Sequence, residues 1–442
     1  MGDEEGTPPG VDLYRGNHPA RFWRLRLDPP PPAALWEAAA HEAATELPPA
    51  ARRHDLDHLL WATLGEGQFG VDHWRLSQPR RLYYLLKPLL ARRLRVRLRR
   101  LHAARARRRF PLGWPVEDRY RRFLWAVAGS LMAQLGMAEL PFFFFWPGGA
   151  RFALVLTHDV EDEAGQRFAG RVADLEEGLG FRSSFNFVSE RYRLDRGLIG
   201  DLRRRGFEVG VHGLRHDGHE YDSWAVFAAG AQRVNLALAA LEAAGYRAPM
   251  THRNPLWMQA LAIEYDTSFF DSDPFEPLPG GTMSLWPFEV GHFLELPYTL
   301  PQDSTLVGLL GEETPRLWVE KVRYVSRHHG LALLNSHPDY LRERRHWSVY
   351  EAFLREMRAC GGYWHDLPRE VARWWRQRAQ AERAAEVPGG TEARLRLQVE
   401  GTVEVMLSAE DGHRASPPGG DGPWPGEVTG PSGIAAGRVP PR

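Results

Sequence analysis

Arg151-Phe152-Ala153-Leu154-Val155-Leu156-Thr157-His158-Asp159-Val160-Glu161-Asp162 is the stretch that decides the fold class of this chain. An apolar run from Phe152 to Leu156 gives way at once to ionisable residues. A short continuous apolar run is the pattern of a strand buried on both faces. Similar runs recur at Ser183 to Val188, Phe207 to Val211, Phe293 to Pro297 and Leu331 to Leu334. Helix-permissive stretches separate them, such as Ala225 to Ala244, where Val226, Ala229, Val234, Leu238 and Leu241 offer one apolar stripe. Short buried strands alternating with helices predict a parallel α/β domain. Periodicity alone does not separate a barrel from a doubly wound sheet.

Working outward, residues 21–150 read as a mostly helical extension. A helix is predicted over Ala33 to Ala44, after the Pro29 to Pro32 run that blocks helix upstream. A second is predicted over Leu89 to Leu101, with Leu90, Leu94, Leu98 and Leu101 at helical spacing among six arginines. Phe142 to Phe145 reads as buried packing that leads into the first strand. Beyond the central domain, taken as 151–380, Pro368 to Arg378 reads as a proline-opened helix packed back by Trp374 and Trp375. Leu395 to Leu407 alternates around Glu400-Gly401, which predicts a hairpin in a small element over 381–414. Residues 1–20 and 415–442 are Gly/Pro-rich without hydrophobic periodicity and are expected to be disordered.

The chain has 442 residues, 43% apolar and 25% charged, a composition that suits a globular protein of one large domain plus additions. Lys+Arg and Asp+Glu both number 56, so the overall charge gives no reason to expect a nucleic-acid partner. Positive charge gathers between Arg80 and Arg109. An amphipathic Arg-rich helix can lie on a membrane, so peripheral membrane contact competes here with the plainer reading of a solvated face whose leucines pack inward. With Cys360 as the one cysteine there is no intramolecular disulfide. The acidic Met1-Gly2-Asp3-Glu4-Glu5 start lacks the pattern of a signal peptide, and the strongest apolar run, Leu140 to Trp146, is too short to span a bilayer. The expectation is a soluble, cytoplasmic protein.

Four clusters carry chemistry. In the first, Asp159 and Glu161 are two apart, so on extended backbone they project to the same side, at the strand end where parallel α/β folds place their active sites. The plain alternative is an N-cap cluster for the next helix. The second, His212-Gly213-Leu214-Arg215-His216, places two imidazoles on one side, as a divalent metal needs. Among 18 histidines such a pair can arise by chance. The third is Thr251-His252-Arg253-Asn254-Pro255, where a lone arginine is ordinarily an ion-pair partner. The fourth, Leu334-Asn335-Ser336-His337, delivers a histidine to the end of another apolar run.

In this order the four clusters resemble the motifs of the polysaccharide deacetylase family (NodB-homology domains, carbohydrate esterase family four), over about Arg151 to Tyr340. That family has an Asp-containing first motif, His-x-x-x-His, Arg-x-Pro and Leu-x-x-His. The resemblance implies a distorted (β/α) barrel and a mononuclear divalent metal, often zinc, held by His212, His216 and an acid of the first motif. It implies Asp159 as general base, Arg253 as the residue that orients it, and His337 as general acid. Many members have two adjacent aspartates where this chain has Asp159-Val160, so Glu161 rather than Asp162 is expected to supply the carboxylate ligand. Asp266, Pro255 and Trp286 are the candidates for substrate contact, Trp286 as an aromatic wall. The implied activity is removal of acetyl groups, N-acetyl first, from a carbohydrate. The alternatives are hydrolysis of a non-sugar amide by the same barrel and a non-catalytic deacetylase-like binding protein.

Overall fold

The computed structural model describes residues 8–53, 55–76, 103, 105–398 and 402–407. The predicted Arg-rich helix over Leu89 to Leu101, the hairpin tip at Glu400-Gly401 and the tail 415–442 lie outside the described residues.

The quoted stretch is the strand around which the fold is built. Strands are numbered β1 to β12 in chain order. After β1 (Glu139–Phe143), β2 spans Ala153–Val160, and all eight of its residues are buried. It is flanked by parallel neighbours on both edges: β9 (Leu331–Ser336) on one, and β3 (Ser184–Phe187) with the short β10 (Trp364–His365) on the other. With all eight residues buried, neither face of β2 meets solvent, hence the continuous apolar run from Phe152 to Leu156. From β3 the sheet continues in parallel through β4 (Glu208–Val211), β5 (Gly245–Tyr246), β6 (Tyr265–Asp266) and β8 (Phe293–Glu295), with β7 (Phe288–Val290) antiparallel at its edge.

The chain beyond β8 curls the sheet closed. Tyr298 bridges to Phe270, and the backbone N–H groups of Thr299 and Leu300 donate to the Leu333 carbonyl of β9 (3.2 and 3.1 Å). The result is the distorted (β/α) barrel anticipated above, with helices such as Glu163–Leu179, Trp224–Ala240, Arg316–Arg327 and Arg344–Cys360 around it. The helix predicted over Ala225 to Ala244 runs Trp224–Ala240, but its buried stripe is Phe227, Gly230, Ala231, Val234 and Leu238. Val226 is exposed, one position off the expected face.

The N-terminal extension is mostly helical, with helices at Ala33–Ala43, Leu56–Leu64 and Arg119–Leu135. It shares one continuous apolar core with the barrel, including Phe142 to Phe145. The C-terminal hairpin forms as β11 (Glu392–Leu397) and β12 (Val403–Leu407), but it is no separate element: β11 pairs with β1 to complete a three-stranded antiparallel sheet. The helix Pro368–Gln380 is tied to this layer by buried Arg378, whose guanidinium donates to the carbonyls of Phe22, Phe143 and Phe144.

Residues 8–20 are not disordered, contrary to expectation. Val11 and Tyr14, in the 3-10 turn Val11–Asn17, are buried. The Asn17 amide exchanges hydrogen bonds with the backbone of Glu289 on β7 (2.7 and 2.8 Å). Two apolar anchors and a paired amide are enough to order a Gly/Pro-rich segment.

Candidate metal centre

The site lies where β2, β4 and β9 end. Asp159, Glu161 and Asp162 divide between the two readings of their cluster. Asp162 caps the helix Glu163–Leu179, accepting from the Gly165 N–H at 2.7 Å. Asp159 and Glu161 face the barrel mouth instead, as the two-residue spacing on extended backbone requires.

His212 directly follows β4. Its Nδ1 lies 3.0 Å from the Arg247 carbonyl, an acceptor, so Nδ1 carries the proton and Nε2 presents a lone pair. That buried Nε2 has no hydrogen-bond partner. Burial outweighs the opposing pull of Asp159 and lowers the imidazole to about 4, which keeps it neutral. The chain then turns sharply through Gly213 (φ 61°) and His216 (φ 55°), both left-handed, so that the His216 ring returns to within 5.1 Å of the His212 ring. A β-carbon at Gly213 would lie 2.4 Å from Pro249 Cγ. Glycine is therefore required there for both conformation and space.

His216 Nε2 stands 3.1 Å from Glu161 Oε1. One donor atom each from Glu161, His212 and His216 lie within 4.8 Å of one another. Burial works to raise the Glu161 carboxyl, but His216, His337 and His212 outweigh it and hold the group ionised. Two imidazoles, one of them with an orphaned buried nitrogen, and one carboxylate fit a borderline divalent cation such as zinc.

Asp159 is held on three sides. Its Oδ1 accepts from Asn186 (3.2 Å), its Oδ2 accepts from Asn335 (2.9 Å), and Oδ2 forms a buried ion pair with Arg247 Nε (3.0 Å). His212 Nε2 is 3.8 Å away. Burial opposes ionisation here too, but the His212 and Arg247 neighbourhood lowers the pKa. His337, after β9, is gripped by Asp303: Nδ1 to Oδ1 is 2.6 Å and the backbone N–H to Oδ2 is 3.1 Å. Desolvation alone would make His337 neutral, yet Asp303 and the nearby acids raise it to about 10. Its Nε2 points to the metal side, 3.7 Å from Glu161 Oε1.

Four expected residues do not join this group. Arg253 does not reach Asp159. It forms a buried ion pair with Glu66 of the extension, and its guanidinium stacks over Phe269 and Phe270. The guanidinium at Asp159 belongs to Arg247. Trp286 is no groove wall: its Nε1–H donates to the His329 carbonyl (2.7 Å), ahead of β9, and it packs on Phe22, Trp125 and Phe145 at the opposite end of the strands. Asp266 is fully buried and accepts from Ser268 N–H and Oγ, so it touches no groove. Pro255 opens the short helix Pro255–Met258 and lines a different cleft, against Glu66 and Trp74.

Sequence reasoning missed Arg247, Asp303 and Asn186. For Arg247 a signal existed: Arg247-Ala248-Pro249 repeats the Arg-x-Pro pattern six residues before the one chosen, and directly follows β5.

No protein-family model matches the sequence, and no curated protein matches it. Among solved structures the chain is similar to one assigned as a polysaccharide deacetylase from Mycobacterium smegmatis, at 20% identity and a TM-score of 0.44 over 54% of this chain and 95% of that one. The peptidoglycan deacetylase PdaC from Bacillus subtilis is similar over 53% of this chain and 95% of its own, at 10% identity and a TM-score of 0.36. PuuE allantoinase is similar over 52% of this chain and 92% of its own, at 17% identity and a TM-score of 0.43.

Proposed function

We propose that this protein is a metal-dependent hydrolase that removes N-acetyl groups from a carbohydrate. One observation carries the reading: a Glu161–His212–His216 donor set with an orphaned buried imidazole nitrogen, flanked by an ionised Asp159 and a protonated His337. Glu161, His212 and His216 would hold the cation. When bound, it supplies Lewis-acid activation of water and of an acyl oxygen.

The chain's own residues divide the proton work. Asp159 accepts a proton from the attacking water. It is a weak base, because Arg247, Asn186 and Asn335 all favour its charged form, so it can serve only where water is acidified beside it. Arg247 fixes the carboxylate and Asn335 sets the plane of its second oxygen. His337 donates from Nε2 to the departing amine, which is a poor leaving group until protonated. Asp303 keeps that imidazolium charged and oriented.

The acyl group and the sugar class come from the family resemblance and are what the assay must decide. Acetate release from chitotetraose and from an acetylated xylooligosaccharide, and ring opening of a cyclic amide, would be measured with wild type and Asp159→Asn. Release from chitotetraose that the variant abolishes is expected. Turnover of the cyclic amide alone would replace the sugar substrate, and turnover of nothing by a metal-loaded protein would sink the reading.

A further inference from the structure

We infer that Glu66, in the N-terminal extension, is a positioning residue of the metal centre: through Arg253 it holds the strained turn on which the His212–His216 loop is seated. The consequence for the ion rests on the metal centre proposed above; the contacts themselves do not. The turn is Pro249–Thr251, between β5 and the short helix Pro255–Met258. It packs against the loop at successive points. A β-carbon at Gly213 would meet Pro249 Cγ at 2.4 Å, and one at Gly218 would meet Met250 Cε at 2.7 Å. Just past the turn, the His252 ring packs on Tyr221 with centroids 4.9 Å apart. Gly213 and Gly218 stand either side of His216 in the chain, so a shift of the turn is passed to that imidazole.

The turn does not hold itself. Met250 and Thr251 both have left-handed backbone, at φ 57° and 52°. Residues with a β-carbon rarely adopt that conformation, and a β-branched threonine least of all. It persists only where the surroundings over-determine it. Arg253 supplies that hold: its Nη1 donates to the Thr251 carbonyl at 2.8 Å, at the far end of the turn. The Thr251 hydroxyl adds a weaker tie, 3.2 Å from Glu276 Oε2.

Arg253 is fixed in turn by Glu66. Its Nη2 pairs with Glu66 Oε2, and the two side chains are 2% and 4% exposed. Burial opposes the charge on Glu66, but Arg253 and His73 keep it ionised. A guanidinium is a planar fork, so pairing one nitrogen with a buried carboxylate also sets where the other nitrogen points, here at Thr251. Fastening the extension to the barrel explains the ion pair and leaves the two left-handed residues beside it unexplained. Without Glu66, Arg253 keeps a buried charge but loses this partner, which drives the guanidinium out of its place. The turn then relaxes and the loop loses its seat. Retention of the ion suffers, rather than turnover by a loaded site.

Glu66→Gly deletes the side chain at a residue whose φ of 59° glycine adopts without strain, so any loss belongs to the carboxylate. Asn17→Ala is the control, because it cuts a different tie between the extension and the barrel, to Glu289 on β7. Zinc-loaded full-length proteins would be mixed with excess EDTA and zinc release followed. Amide exchange over residues 212–222 would be measured on the metal-free proteins by mass spectrometry, with Tm read alongside. Glu66→Gly is expected to speed both zinc release and exchange over 212–222 by about tenfold or more, while exchange over 331–336 stays unchanged and Asn17→Ala behaves as wild type. Wild-type rates in a folded Glu66→Gly protein overturn the assignment, as does equal acceleration in Asn17→Ala. If Glu66→Gly does not fold, Glu66→Gln, which keeps an oxygen but not the charge, is read in the same way, with about threefold or more expected. A wild type that holds no zinc contradicts the metal centre, and the exchange measurement still decides whether Glu66 holds the loop.

Discussion

Replacing Arg247 with leucine tests whether this arginine, and not Arg253, holds the base. Arg247 Nε is 3.0 Å from Asp159 Oδ2, and both side chains are buried. At that distance and an effective dielectric of about 20 the bare attraction is about 5 kcal/mol, which desolvation of both groups offsets in large part. Removing one partner of such a pair costs roughly 3–5 kcal/mol, because the remaining charge stays buried. Asn186 and Asn335 still bond the carboxylate, which places the expected cost at the lower end. The effect on turnover follows from position: a base misplaced by an ångström costs about a hundredfold. Arg247→Leu should therefore lower kcat about a hundredfold on acetylated oligosaccharide and leave metal content unchanged, since the side chain is no ligand. Arg253→Leu strands Glu66 instead, and should lower Tm with kcat within about threefold of wild type. Steady-state kinetics below both melting temperatures, with metal content measured on the same samples, make the comparison. Near-normal kcat in Arg247→Leu, or equal losses in the two variants, would refute the assignment.

Three further outcomes are expected. Gly213→Ala must strain a left-handed residue and collide with Pro249, so it should destabilise by more than about 1 kcal/mol and weaken metal retention by displacing His216. Trp286→Phe removes the indole donor to His329 and should lower Tm without changing KM, because the ring lies at the far end of the strands. Glu208, the buried first residue of β4, is raised by desolvation from 4.5 to about 7 despite bonds from Tyr265 and Arg369. The folded state thus binds its proton more tightly than the unfolded state. Its contribution is complete below about pH 4.5 and is lost as pH rises towards 7, a span worth roughly 3 kcal/mol. Glu208→Gln should remove that part of the fall in stability between pH 5 and pH 8, read from urea midpoints at the two pH values; an unchanged pH dependence would contradict it.

What was legible in the sequence follows from how each residue is delivered. Asp159, Glu161, His212 and His337 each come at the end of an apolar run, because β2, β4 and β9 are enclosed strands whose last residues emerge at one rim. Arg247 was hidden because β5 is only Gly245–Tyr246, too short to announce itself as a strand. Without a recognisable strand before it, nothing drew attention to Arg247-Ala248-Pro249 beside the Arg-x-Pro sequence at Arg253. Asp303 comes from the irregular chain after β8, 34 residues before the histidine it grips, and no local pattern links the two. Trp286 was misplaced because a tryptophan in a variable stretch looks the same whether it lines a groove or fills a core. The order of residues 8–20 rests on Val11 and Tyr14, two buried side chains too few to give a periodic signal.

The central claim is that Glu161, His212 and His216 hold a divalent cation. Metal analysis of the purified full chain and of His212→Ala, at matched concentration and without added chelator, tests it most directly. About one divalent ion per wild-type chain, lost in a folded His212→Ala protein, is the predicted result. A wild type that retains no stoichiometric metal after incubation with zinc, or a variant that retains as much as wild type, would contradict it.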